Sequence, residues 1–176
     1  KNLKIKDVTF VNIGGIVNIT TLLDNGNMTG TDIGPGMCLI DRWIRQKVKK
    51  NYDKDGIIAK SGNVNYEALQ LLLKNFYKKE NTVLKKPIQS FDTKHFDFSF
   101  VQNLTLEDGA ATLTEFTTQI IIDAIKEKNL DKFKIILCGG GRKNNFLVEK
   151  LKKNFSLELI DERGVDGDFV ESQAFA

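Results

Sequence analysis

The chain is poor in the residues that mark extracellular, metal-binding and fibrous proteins. It holds two cysteines, two prolines, one histidine and one tryptophan in 176 residues. Cys38 and Cys138 lie far apart in apolar contexts and form no Cys-x-x-Cys pair. That argues against a disulfide framework or a cysteine zinc site and fits free, buried thiols in a reducing compartment. His95 is the sole histidine, with no partner acid or cysteine motif around it, so a surface or packing role is expected rather than catalysis. Asp53, Asp55 and Gly56 look like a piece of a calcium loop, but the distal Glu is missing at the required spacing. No apolar run approaches the ~18 residues of a membrane span, and no segment reads as a signal peptide. Repeats and low-complexity tracts are also absent. The opening KNLKIKD has no initiator Met. That is expected of a fragment cut from a longer protein, and processing or omitted residues would look the same.

What is present suits one folded domain. Apolar residues make up 41% and charged residues 28%, with a net charge of +3, and the length is enough for a real core. Lysines recur along helix faces, as in LLLKNFYKK at 71–79 and EKLKKN at 149–154. No concentrated basic patch forms, so a nucleic-acid partner is not expected.

The order of elements is legible from periodicity. Residues 7–13 and 16–23 read as paired strands. A turn at Asp24, Asn25 and Gly26 leads to a third short strand near 28–33, which Pro35 and Gly36 break. Leu39, Ile40, Trp43, Ile44 and Val48 mark one helix face, with Trp43 in the core. Residues 51–65, rich in Asp, Gly, Asn and Ser, read as a loop. Tyr66, Leu69, Leu72, Leu73 and Phe76 mark a second helix, and 81–104 reads as irregular. Thr105 with Asp108 resembles a capping box, opening a long helix to about Lys128. A strand (134–138), a helix (145–154), a strand (156–160) and a terminal helix from about Asp168 complete the chain. Three hairpin-linked strands followed by alternating helices and strands predict an α/β fold with a mixed sheet in β-β-β-α-β-α order. This is the order of an actin-like (ribonuclease H-like) half-domain, two of which flank a nucleotide cleft.

Two glycine motifs carry the functional signal. In FVNIGGIVNIT (10–20), Gly14 and Gly15 sit between β-branched runs. They read as a two-residue hairpin with positive φ at both glycines, or as a turn whose N–H groups meet a phosphate. In IILCGGGRKNN (135–145), a strand runs into Gly139, Gly140 and Gly141 and then a helix start at Asn144. Strand, glycines and helix N-terminus together suit an anionic ligand. A tight strand-to-helix turn is the plainer reading, but a third consecutive glycine exceeds what a turn needs. Asn12 and Asn18 flank the first turn and could donate to phosphate or bridge the hairpin. Arg142 could reach a phosphate or an adenine face, or stand exposed at the helix start. Asp32 could orient Mg²⁺ or a sugar hydroxyl, or cap the helix after Pro35.

NIGGIVNIT, GTDIGPG (30–36), YDKDGIIAKSG (52–62), LCGGGRKN (137–144) and GDFVESQAFA (167–176) occur in that order. The set resembles the C-terminal half of anhydro-N-acetylmuramic acid kinases over essentially the whole chain. The resemblance implies one lobe, residues 1–176, of a two-lobed bacterial cytoplasmic kinase. Such an enzyme uses ATP, Mg²⁺ and water to open the 1,6-anhydro ring of the amino sugar and phosphorylate O6 in cell-wall recycling. It implies an ATP site at Asn12, Gly14, Gly15, Asn18, Gly139, Gly140, Gly141 and Asn144. The general base and the first phosphate loop are expected in the missing N-terminal lobe. On this reading the isolated chain folds but is inactive, and its uncovered face permits a homodimer. The chain departs from the family pattern at Ile33 and Met37, where Thr and Asn are usual, and at Thr93, where Arg is usual. The competing readings are a non-catalytic actin-like nucleotide-binding or scaffolding module, and an activator-type ATPase or sugar sensor.

Overall fold

The computed structural model describes residues 7–83, 93 and 96–164. Strands β1 (Val8–Ile13), β2 (Ile16–Leu22) and β3 (Met28–Pro35) form an antiparallel meander. β4 (Lys134–Cys138) adds parallel to β1, and β5 (Leu157–Leu159) parallel to β4. The mixed sheet therefore runs β3-β2-β1-β4-β5, in the β-β-β-α-β-α order expected from the sequence.

Period-two alternation sets the two sheet faces. Val11, Ile13, Val17, Ile19, Ile135 and Leu137 point to one face and pack with Ile121 and Ile125 of helix α4 (Leu106–Glu127) and Leu147 and Leu151 of α5 (Asn145–Lys152). Val8, Ile136 and Cys138 point to the other, where Ile160 joins them. A second core lies beyond the sheet. Helix α1 (Cys38–Lys47) buries Leu39, Ile40, Trp43 and Ile44. With α3 (Tyr66–Val83) it packs on α4 around Phe76 and Phe116. Trp43 is fully buried, and its indole N–H donates to the Leu106 carbonyl at 2.8 Å. The indole lies close enough to Gly109 that a Cβ there would sit 2.7 Å from its nitrogen.

Several expectations need correction. The segment 51–65 is not all loop. It holds a 3₁₀ turn (Lys54–Gly56) and a short helix, α2 (Ile57–Ser61). Asp53, 2% exposed, accepts the Ile58 and Ala59 N–H groups with its two oxygens at 2.9 Å each. The third strand runs on to Pro35. Thr105 Oγ1 accepts the Asp108 N–H as expected, but the Asp108 carboxylate accepts from Asn63 N instead of closing the box. His95, Lys94 and the terminal helix expected from Asp168 lie outside the described residues.

Candidate functional site

The β1–β2 turn is not a two-residue hairpin. The ladder ends at the pair Ile13 and Val17, and neither Gly14 nor Gly15 has positive φ. The Gly14 carbonyl accepts from Met37 N at 2.8 Å, and the Gly15 carbonyl accepts from Gly36 N at 2.9 Å and Cys38 N at 3.2 Å. The turn is thus fastened to the start of α1, taking the amides of Gly36, of the N-cap Met37 and of Cys38, the first residue of that helix. Gly36 permits the close approach, since a Cβ there would run into the Gly14 carbonyl. Gly15 itself is exposed. A Cβ on it would meet Cys38 and Thr93 only at ordinary contact distances of 3.8 and 3.9 Å.

At the second motif a 3₁₀ turn, Gly140–Lys143, intervenes between the glycines and α5. Gly139 takes φ 78 and ψ 172, a region essentially open only to glycine. Gly141 is buried, and a Cβ there would lie 2.8 Å from Ile13 Cβ. Gly140 is exposed and would meet nothing within 4 Å. Asn144 caps α5, its Oδ1 accepting from Leu147 N at 3.0 Å.

These parts converge. A cavity of about 440 Å³ is lined by Gly14, Gly15, Gly140, Gly141 and Asn144, with Asp41, Tyr52, Lys54, Asp55 and Lys143 on its other walls. Segments more than a hundred residues apart in sequence meet there because β4 lies directly beside β1, pairing Asn12 with Cys138. Asn12, Asn18 and Asp32 are not among the residues that line it. Asn18 and Asp32 bind each other instead. The Asn18 amide donates to Asp32 Oδ1 at 3.0 Å, bridging β2 and β3, and Asn18 Oδ1 accepts from Thr20. Asp32 does not cap α1, whose N-cap is Met37 with no side-chain bond. Arg142 is neither exposed nor a cavity residue. It is 4% exposed and grips Asp161 through two bonds of 2.6 and 2.9 Å. A third bond runs to the Gly139 carbonyl at 3.0 Å. The guanidinium thereby ties the glycine loop to the 3₁₀ turn, Ile160–Arg163, that follows β5.

Sequence reasoning did not single out Asp41, Tyr52, Lys54 or Lys143, and it read Asp55 only as part of an incomplete calcium loop. Asp41 reads as a polar position on an amphipathic helix, and only its place one turn after the Pro35–Gly36 break hints otherwise. Burial lifts its carboxyl to about 6, with Asp53 adding to the rise and Arg45 opposing it. At the family departures, Ile33 is buried in the sheet core, Met37 lines the cavity, and the Thr93 carbonyl accepts from Arg42. Among the described residues no cluster of three or more acidic, His or Cys side chains could hold a metal ion. Among them, too, no helix is long and apolar enough to cross a membrane.

Comparison with known proteins adds to this geometry. An "ethanolamine utilization protein EutJ" from Carboxydothermus hydrogenoformans superposes with a TM-score of 0.44 at 11% identity, covering 90% of this chain and 44% of that one. A kinase named for anhydro-N-acetylmuramic acid in Pelagibacter ubique is 43% identical over 97% of this chain and 47% of its own length. Kinases of the same name in Hahella chejuensis and Vibrio cholerae are 35% and 34% identical, again over less than half of their own length. The chain therefore spans about half the length of the curated relatives it matches. The family model for anhydro-N-acetylmuramic acid kinase matches residues 3–176, and the chain belongs to that family.

Proposed function

We propose that the whole protein is an ATP-dependent kinase that opens the 1,6-anhydro ring of anhydro-N-acetylmuramic acid with water and phosphorylates O6, in the bacterial cytoplasm. This chain supplies one wall of the ATP site. The observation that carries the reading is the shared cavity, where Gly15 and Gly140 stand exposed with neither backbone conformation nor packing to require a glycine. A ligand that must come close to backbone amides supplies the missing reason. The Gly14–Gly15 turn would take the β- and γ-phosphates, and Gly140 the nucleoside side. Lys54 and Lys143 on the walls suit a polyanion. Mg²⁺ would be held chiefly by phosphates and water, as is common for this ion. Phosphoryl transfer rests on positioning and charge stabilisation, and a fixed turn fastened to α1 provides positioning without mobile side chains.

The same reading assigns the general base and the other phosphate loop to the half not contained in this chain. The isolated chain is then inactive, and its uncovered face is open to self-association. The test is phosphorylation of anhydro-N-acetylmuramic acid by the full-length protein and by this chain with Mg·ATP. Full-length turnover is expected, with none from the chain alone. Turnover by the chain within about tenfold of full length, less than a general base alone is worth, would reject the division of labour.

A further inference from the structure

Helix α4 buries four threonines, Thr112, Thr114, Thr117 and Thr118. A threonine inside a helix ordinarily returns its hydroxyl to the carbonyl one turn back. Thr112 does so to the Asp108 carbonyl at 2.7 Å, and Thr118 to the Thr114 carbonyl at 2.8 Å. Thr117 does not. Fully buried, it sends its hydroxyl out of the helix to the joint between β3 and α1. There it lies 3.1 Å from the Gly36 carbonyl and 3.4 Å from the Pro35 carbonyl. These carbonyls are the far ends of the two peptide units that hold the glycine turn. The Pro35–Gly36 unit donates its N–H to the Gly15 carbonyl, and the Gly36–Met37 unit donates its N–H to the Gly14 carbonyl. No described peptide bond is cis, and a planar trans unit points its N–H opposite to its C=O. A head-to-tail chain therefore runs from the Thr117 hydroxyl through the Gly36–Met37 unit to the Gly14–Gly15 unit, and it ends at the Gly15 N–H. Gly15 is exposed, and that N–H has no partner among the described residues.

We propose that Thr117 is a positioning residue for the phosphate turn: through this chain its hydroxyl fixes and polarises the Gly15 amide that meets a phosphate oxygen. This rests on the nucleotide reading of the cavity and deepens it. Packing alone does not call for a hydroxyl at this place. A buried hydroxyl is unfavourable unless it is hydrogen-bonded, and valine has the same branched shape without the donor. Hydrogen bonds in series polarise one another, so a donor at the buried end strengthens the amide at the exposed end. Anchoring matters equally. Gly15 has no side chain to hold it, so the orientation of its amide depends on the bond to the Gly14 carbonyl. That bond depends in turn on the joint that Thr117 pins to α4. An amide fixed before the ligand arrives costs less to order on binding.

Calorimetric titration of the full-length protein and its Thr117→Val, Thr117→Cys and Thr117→Ser variants tests this, with ATP, inorganic tripolyphosphate and adenosine as probes. Valine removes the donor, cysteine keeps a weak one, and serine keeps the hydroxyl. Urea unfolding identifies the variants that fold. Thr117→Val is expected to lose about three- to tenfold in affinity for ATP and tripolyphosphate, the weight of one hydrogen bond, while adenosine binds as before. Thr117→Cys should fall between Thr117→Val and the parent, and it carries the test if Thr117→Val does not fold. Thr117→Ser should bind both phosphate-bearing probes like the parent, whatever stability it loses with the methyl group. A threonine that served only the fold would lower the urea midpoint and leave the affinities of the folded protein alone. Unchanged ATP and tripolyphosphate affinity in a folded variant without the hydroxyl would therefore overturn the proposal. So would an equal loss of adenosine, or a loss in Thr117→Ser as large as in Thr117→Val. If the unmodified protein binds neither ATP nor tripolyphosphate, the nucleotide reading itself falls and takes this role with it.

Discussion

The two glycine motifs look alike in sequence and do different work in the fold. In the β4 loop, Gly139 and Gly141 are demanded by the chain itself, one by its backbone angles and one by the Ile13 side chain pressed against it. Gly140, between them, is demanded by nothing within 4 Å. In the β1–β2 turn the exposed Gly15 is likewise unconstrained, while its carbonyl and that of Gly14 bind the start of α1. A glycine run is therefore not a single signal. On the proposed function, the glycines that neither angle nor packing explains are the ones left for a ligand.

The sharpest break in that comparison is at Gly139 and Gly141. Gly139→Ala forces a side chain into glycine-only backbone space and against the Ile13 carbonyl, 2.8 Å from the new Cβ. Strain and overpacking together should cost about 3 kcal/mol or more, read as a lowered urea midpoint. Gly141→Ala should cost a similar amount. The next effect is at the tie that holds this loop. Asp161→Ala removes the carboxylate that the buried Arg142 grips through two hydrogen bonds. Because Asp161 is itself 47% exposed, the loss should be about 2 kcal/mol, below that of a fully buried pair. Gly15→Ala and Gly140→Ala should behave differently. Their melting curves should stay within about 0.5 kcal/mol of the parent, while ATP affinity in the full-length protein falls about tenfold or more. Equal stability losses at Gly140 and Gly141 would erase the distinction.

The contrast also shows what the sequence could disclose. Strand β2 and the long helices were readable because each buries one periodic face, and β4 because it is a short apolar run buried on both faces; both patterns are local properties. The pairing of the two glycine motifs in one fold was readable from the element order. Which glycine serves which purpose was not, because it depends on Ile13 and Asn12 reaching Gly139 and Gly141 across the sheet. Arg142 was misjudged for the same reason, since its partner Asp161 arrives only after α5 and β5 have folded back. Helix α2 escaped notice because no apolar stripe announces its five residues. It is held by Asp53 from outside its own span and by packing on α4. Asn18 and Asp32 drew attention as polar residues beside glycines, yet the register of β2 and β3 sets them against each other.

Asp41 extends the comparison from glycines to charge, with the smallest expected effect. Burial raises its carboxyl from the ordinary 3.8 to about 6. The folded protein therefore binds this proton more tightly than the unfolded chain does. Its contribution to stability is fully present below about pH 3.8 and is lost as pH rises through about 6. At neutral pH the ionised group is a burden. Because the side chain is only partly buried, solvent screening reduces the burden to about 1 kcal/mol. Asp41→Asn should then be about that much more stable than the parent at pH 7.5 and indistinguishable from it near pH 4, by urea unfolding at both pH values. A fold that gains stability when a cavity carboxylate is removed is keeping that carboxylate for something other than stability. If the ligand donates to ionised Asp41, ATP affinity of the full-length protein should rise with pH through about 6, and Asp41→Asn should flatten that rise. A variant less stable than the parent at pH 7.5 would place Asp41 with Gly139 and Gly141, among residues the fold needs, rather than with Gly15 and Gly140.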